Sequence, residues 1–97
     1  MTVWFVSRHP GALEWMQNHG PAFDRHVTHL ASQEVAVGDT VVGSLPVNLA
    51  AEICARGARY FNLSLRLREE DRGRELSAGE LAAYDAVLEE FSIRKTL

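Results

Sequence analysis

Three adjacent residues near the amino terminus, Ser7-Arg8-His9, place a hydroxyl, a guanidinium and an imidazole side by side. Together these groups suit a phosphodiester. An Arg fork pairs with phosphoryl oxygens, a Ser orients them, and a His can give or take a proton near neutral pH. The triplet follows an apolar run, Val3-Trp4-Phe5-Val6, and precedes Pro10-Gly11, where a helix begins. Pro at the first helical position and Gly20 after His19 mark the two ends of that helix. Capping the helix would need only one of the three residues. An Arg beside a His at a helix mouth has no structural use of its own, so Ser7-Arg8-His9 reads as a site.

Such a site needs a scaffold to hold it. Four apolar runs read as strands: Thr2–Ser7, Arg25–Leu30, Thr40–Leu45 and Arg59–Leu65. Besides the helix from Pro10, a second runs from Pro46 to Arg56 and closes at Gly57, with Leu49, Ala50, Ile53 and Cys54 on one stripe. A third starts at the capping box Ser77-Ala78-Gly79-Glu80 and carries Leu81, Tyr84, Leu88 and Phe91 along one face as a lid on the sheet. The first and fourth strands are nearly continuous apolar runs, as in a parallel sheet covered on both faces. The expected fold is α/β: one domain over residues 1–97, a small Rossmann-like, mostly parallel sheet of about four strands in order 2-1-3-4, with helices on both faces. The link Ala31–Asp39 is short for a parallel crossover. It calls either for a tight helical turn or for an antiparallel second strand. Val37-Gly38-Asp39 reads as a turn in both cases.

In an open parallel sheet, ligands sit beyond the carboxyl ends of the strands, where the strand order reverses. Here that point lies between the first and third strands. The third strand ends in Ser44-Leu45-Pro46-Val47-Asn48, which echoes the first: a Ser, then a Pro-initiated helix. Two helix mouths would then present unpaired N–H groups to an anion. Gly11, Ser44 and Asn48 are the candidate ligand contacts there, although Ser44 serves equally well as a helix cap. The segment after the fourth strand, residues 64–75, carries Arg66, Arg72 and Arg74 among acidic residues at the same edge. Most such runs are solvated surface; these three Arg are candidates to reach a phosphate.

Several classes are set aside. The net charge of −3 gives no global pull toward long nucleic acid. Nine of the ten basic residues are Arg, which suits bidentate phosphate contact but also follows from a GC-rich gene. The single Cys54 lies in an apolar helical pattern and reads as core. No apolar run approaches the roughly 20 residues of a membrane span, and no signal segment opens the chain, so a cytoplasmic location is expected. His26 and His29 stand three apart on the expected second strand and would face opposite sides, and no second Cys or carboxylate completes a ligand set, so no metal is expected. There is no G-x-G-x-x-G and no Walker motif, so no cofactor is expected either.

Two chemistries fit Arg8-His9. One is that of the phosphohistidine phosphatases, whose Arg-His-Gly follows a first strand; here Pro10 interrupts the motif, and those domains are much larger, with a second catalytic His and another Arg downstream, so this chain departs on each count. The other is metal-free RNA cleavage, in which a ribose 2′-OH attacks its own phosphodiester while the protein positions it and stabilises charge.

The stretch Trp4-Phe5-Val6-Ser7-Arg8-His9-Pro10-Gly11-Ala12 resembles the opening signature of the Csx-sixteen family of type III CRISPR-associated proteins. The resemblance continues through Gly38-Asp39-Thr40-Val41-Val42-Gly43-Ser44-Leu45-Pro46, Leu49-Ala50-Ala51-Glu52, Arg56-Gly57-Ala58-Arg59-Tyr60 and Arg72-Gly73-Arg74-Glu75-Leu76-Ser77. It implies a fold like the CRISPR-associated Rossmann-fold (CARF) domains and a ring nuclease. Such an enzyme opens cyclic oligoadenylate, above all cyclic tetra-adenylate, without metal. The product would be a short linear adenylate with a 2′,3′-cyclic phosphate, and the antiviral signal would cease. A two-fold symmetric ring further implies a homodimer. The roles of Ser7, Arg8 and His9 as catalytic residues follow from their position. The competing class is a sponge or sensor that holds the ring and leaves it intact; multiple turnover separates the two.

Overall fold

A computed structural model describes residues 1–65, 77–83 and 85–97 of the chain. The elements are β1 (Val3–Val6), α1 (Pro10–His19), β2 (Arg25–Val27), β3 (Thr40–Gly43), α2 (Val47–Ala55), β4 (Arg59–Ser64), α3 (Ala78–Ala83) and β5 (Val87–Phe91), with a 3₁₀ turn at Ser32–Glu34. They build one mixed sheet in the order β2-β1-β3-β4-β5. The first four strands are parallel, in the expected order 2-1-3-4, and β5 adds antiparallel to the outer edge of β4. The sheet therefore has five strands where about four were expected.

Strand side chains alternate between two cores, as a period of two requires. Trp4, Val41 and Tyr60 point to one side and pack with Ala50 and Ile53 of α2. Phe5 and Val42 point to the other and pack with Ala12, Trp15 and Met16 of α1, where Ala78 of α3 and Leu88 of β5 join them. Both faces of the parallel strands are thus covered, which explains why β1 is apolar at every position and β3 from Val41 onward. The crossover from β1 steps leftward to β2 on the α1 side. The crossovers from β2 to β3 and from β3 to β4 step rightward on the α2 side, so all three have the same hand.

The short link resolves in favour of the parallel strand. Strand β2 ends at Val27 rather than Leu30, so the crossover spans residues 28–39, about the dozen that a parallel connection needs. Leu30 and Val35 leave the strand pattern to fill the α2-side core, with the 3₁₀ turn between them. At the lower edge the link is closed by Asp39, only 4% exposed. Its carboxylate accepts the Thr2 and Ala36 N–H groups, each at 2.9 Å, and Trp4 Nε1–H at 3.2 Å. Those backbone donors hold its pKa below the usual carboxylate value against the opposing effect of burial.

The third helix departs from expectation. The capping box is present, with Ser77 N–H donating to Glu80 Oε1 and Glu80 N–H to Ser77 Oγ, each at 3.2 Å. The helix nevertheless ends at Ala83, Asp85 takes φ 55°, and Val87–Phe91 is a strand rather than a continuing helix. The expected helical face of Leu88 and Phe91 is therefore wrong; Leu81 and Tyr84 side chains lie outside the described residues. Pairing explains the switch. Without β5 the edge of β4 would leave a row of N–H and C=O groups unpaired, and the register Tyr60↔Phe91 through Ser64↔Val87 satisfies it. Arg59 and Glu90 fasten the same pair with two contacts of 2.8 and 2.9 Å, and the Arg59 guanidinium lies 5.1 Å over the Phe61 ring. Among the described residues, no helix is long and apolar enough to cross a membrane.

Candidate functional site

At the carboxyl ends of the four parallel strands lies a cavity of about 440 Å³, within the size range of small-molecule sites. Each strand contributes. Ser7, Arg8 and His9 follow β1; Thr28, His29 and Leu30 follow β2; Ser44, Leu45 and Pro46 follow β3; Leu63 and Leu65 come from the end of β4. This is the point between β1 and β3 where the strand order reverses. The floor is apolar and the rim basic. Among the described lining residues the titratable groups are Arg8, His9 and His29, and there is no carboxylate.

The Ser7 corner is tied down on three sides. Its N–H donates to Val27 O at 3.0 Å, its Oγ accepts His9 N–H at 3.1 Å, and its carbonyl lies 3.0 Å from His26 Nε2. The His26 ring in turn stacks on Phe5, with centroids 5.6 Å apart. Ser7 is therefore no helix cap: the residue at the N-cap position of α1 is His9, which makes no side-chain cap bond. Pro10 has no N–H to place, and the first carbonyl of the helix, that of His9, takes Ala12 and Leu13. Arg8 is exposed and forms no ion pair among the described residues.

The second loop is braced from below. Ser44 does not cap its helix either; its hydroxyl donates to Leu63 O at 3.2 Å, and Pro46 is the N-cap residue of α2. The buried Tyr60 hydroxyl accepts the Leu45 N–H at 3.0 Å and donates to Asn62 Oδ1 at 2.6 Å, with Gly43 O at 3.3 Å. Asn62 Nδ2 passes the chain on to Ser64 Oγ at 2.9 Å. Burial raises the Tyr60 pKa, so the hydroxyl keeps its proton and this donor role. Between the two loops only glycine fits at position 43: a Cβ there would stand 2.5 Å from Val6 O.

Of the residues expected at the site, the structure brings Ser7, Arg8, His9 and Ser44 into the cavity wall. Gly11 stands in the first turn of α1 and Asn48, exposed, in the first turn of α2, neither among the lining residues. Arg66, Arg72 and Arg74 lie outside the described residues. His29 and the Tyr60-Asn62-Ser64 ladder were missed. The expectation that His26 and His29 share a strand placed them on opposite faces; because β2 stops at Val27, His29 enters the loop and joins His9 at the cavity. The ladder did leave a trace, a polar residue at every second position of β4. Cys54 packs partly buried against the α2-side core, as read. No three His, Cys, Asp or Glu side chains cluster as metal ligands would among the described residues.

No curated protein and no solved structure matches the chain. A family model described as "Putative CRISPR-associated protein (Cas_VVA1548)" matches it over residues 4–94.

Proposed function

The chain belongs to the Cas_VVA1548 family of CRISPR-associated proteins, and from that premise we propose that it is a ring nuclease of the Csx-sixteen kind. It takes cyclic oligoadenylate, with cyclic tetra-adenylate as the principal substrate, and opens it without metal. One observation carries this reading: a cavity at the strand-order reversal that is rimmed by Ser7, Arg8 and His9 and lined by no described carboxylate. That rim favours a phosphodiester anion over a cation.

Arg8 neutralises the non-bridging oxygens, and the locked Ser7 corner fixes its backbone relative to His9. The adjoining ribose 2′-OH attacks phosphorus, the P–O5′ bond breaks, and a 2′,3′-cyclic phosphate and a 5′-hydroxyl remain. No water is consumed, so the first cut gives a linear isomer of the ring and a second, opposite cut gives two dinucleotides of half its mass. A single cavity of this size holds part of a tetranucleotide ring, and a second copy of the chain across a two-fold axis would hold the equivalent step.

The test is incubation of purified protein with excess cyclic tetra-adenylate in EDTA, followed by chromatography and mass measurement. Linear species ending in a 2′,3′-cyclic phosphate are expected. A ring that survives intact but co-elutes with the protein makes the site a sponge, and release of inorganic phosphate from simple monoesters makes it a phosphatase.

A further inference from the structure

We propose that His29 is a second catalytic histidine, transferring the proton that His9 does not; this rests on the reading of the cavity as a phosphodiester-opening site. The stereochemistry of the reaction calls for two proton-transfer groups. In an in-line displacement the attacking 2′-oxygen and the departing 5′-oxygen stand on opposite sides of phosphorus. One imidazole cannot reach both at once. As the 2′-O–P bond forms, one neutral imidazole accepts the 2′-OH proton; as the P–O5′ bond breaks, a protonated imidazole delivers a proton to the 5′-oxygen. The pair ends with its protonation exchanged and solvent restores it.

The lining of the cavity leaves few candidates. Arg8 stays protonated throughout and cannot exchange a proton. No carboxylate lines the cavity among the described residues, and the two remaining titratable groups are His9 and His29. The sheet brings them together. Strands β1 and β2 are parallel neighbours with Val6 opposite Val27. The pairing ends at that step, and the two loops that leave it side by side, Ser7–His9 and Thr28–Leu30, both line the one cavity. Both histidines are exposed at the rim. His26 differs: its ring nitrogen is engaged with the Ser7 carbonyl, which makes it a positioning residue.

The experiment is single-turnover opening of cyclic tetra-adenylate by wild-type protein and by His29→Ala, His29→Gln and His9→Ala, each across a pH range, with ring affinity measured in parallel. A linear diadenylate with sulfur in place of the bridging 5′-oxygen is the second substrate, because a thiolate leaves without a proton. Wild-type protein should give a bell-shaped profile. Either His29 variant should slow cleavage by about 100-fold or more while binding changes by less than about threefold, and should lose one limb of the bell. His9→Ala should lose the other limb, and the sulfur substrate should rescue the variant that lacks the acid. Cleavage within about threefold of wild type and an intact bell in both His29 variants would overturn the proposal and leave the ring-nuclease reading standing. A slowed rate with an unchanged bell and no rescue in either histidine's variants would overturn it too, reducing His29 to positioning. Wild-type protein that leaves the ring whole removes the ring-nuclease reading, and this role with it.

Discussion

Arg8 and His9 differ in what they offer a phosphodiester, and their loss should be felt in different measurements. Arg8 supplies charge from an exposed position without an ion pair among the described residues. Its replacement by Ala should weaken ring binding by about 10- to 100-fold, the worth of one charge-assisted contact, and should flatten the dependence of affinity on salt. Equilibrium titration at two salt concentrations reads both. His9→Ala should leave affinity near wild type and cut the single-turnover rate by about 10²- to 10⁴-fold. At this scale the sequence showed what was contiguous. Ser7-Arg8-His9 is legible because three reactive types sit in a row before a helix-opening Pro. His29 is not, because its place in the same cavity as His9 is created by a parallel strand pairing across about 20 residues of chain.

The elements do the positioning, and Tyr60 shows how. It is a core residue of β4 by burial, yet its hydroxyl holds the Leu45 N–H of the opposite loop. Tyr60→Phe should cost about 1–2 kcal/mol in a denaturant titration, since a buried backbone donor loses its acceptor. It should also weaken ring binding through the Ser44–Pro46 rim. Gly43→Ala should be the harsher change, because the new methyl meets the Val6 carbonyl and pushes β3 from β1 at the point where the site opens. A fall in melting temperature together with lost binding is the expected result. The two Pro-initiated helices and the capping box were readable because periodicity and caps are local signals, and the order 2-1-3-4 because fold-level rules leave few topologies for such an alternation. The end of the third helix was not. Leu88 and Phe91 obey helical spacing as well as strand pairing, and the unpaired edge of β4 decides between them.

Across the whole molecule the two ends of the sheet have separate duties. The carboxyl end carries the cavity; the amino end is closed by Asp39 with its three donors. Because the folded-state pKa of Asp39 is lowered, its stabilising contribution is complete above the unfolded value of about 3.9 and is lost as pH falls through the lower folded value. Asp39→Asn should reduce stability at pH 7 by about 1–3 kcal/mol and make the remaining stability less acid-sensitive, as thermal melts between pH 3 and 7 would show. The cavity, far from that clamp, should bind as before in whatever fraction stays folded. Assembly belongs to this scale as well: sedimentation with cyclic tetra-adenylate should give two chains per ring. The central claim is catalysis, and a count of product per protein tests it most directly. With cyclic tetra-adenylate in large excess over protein and EDTA present, linear product should rise well past one equivalent per chain. Product that stops at or below one equivalent, with the remaining ring intact, would contradict it.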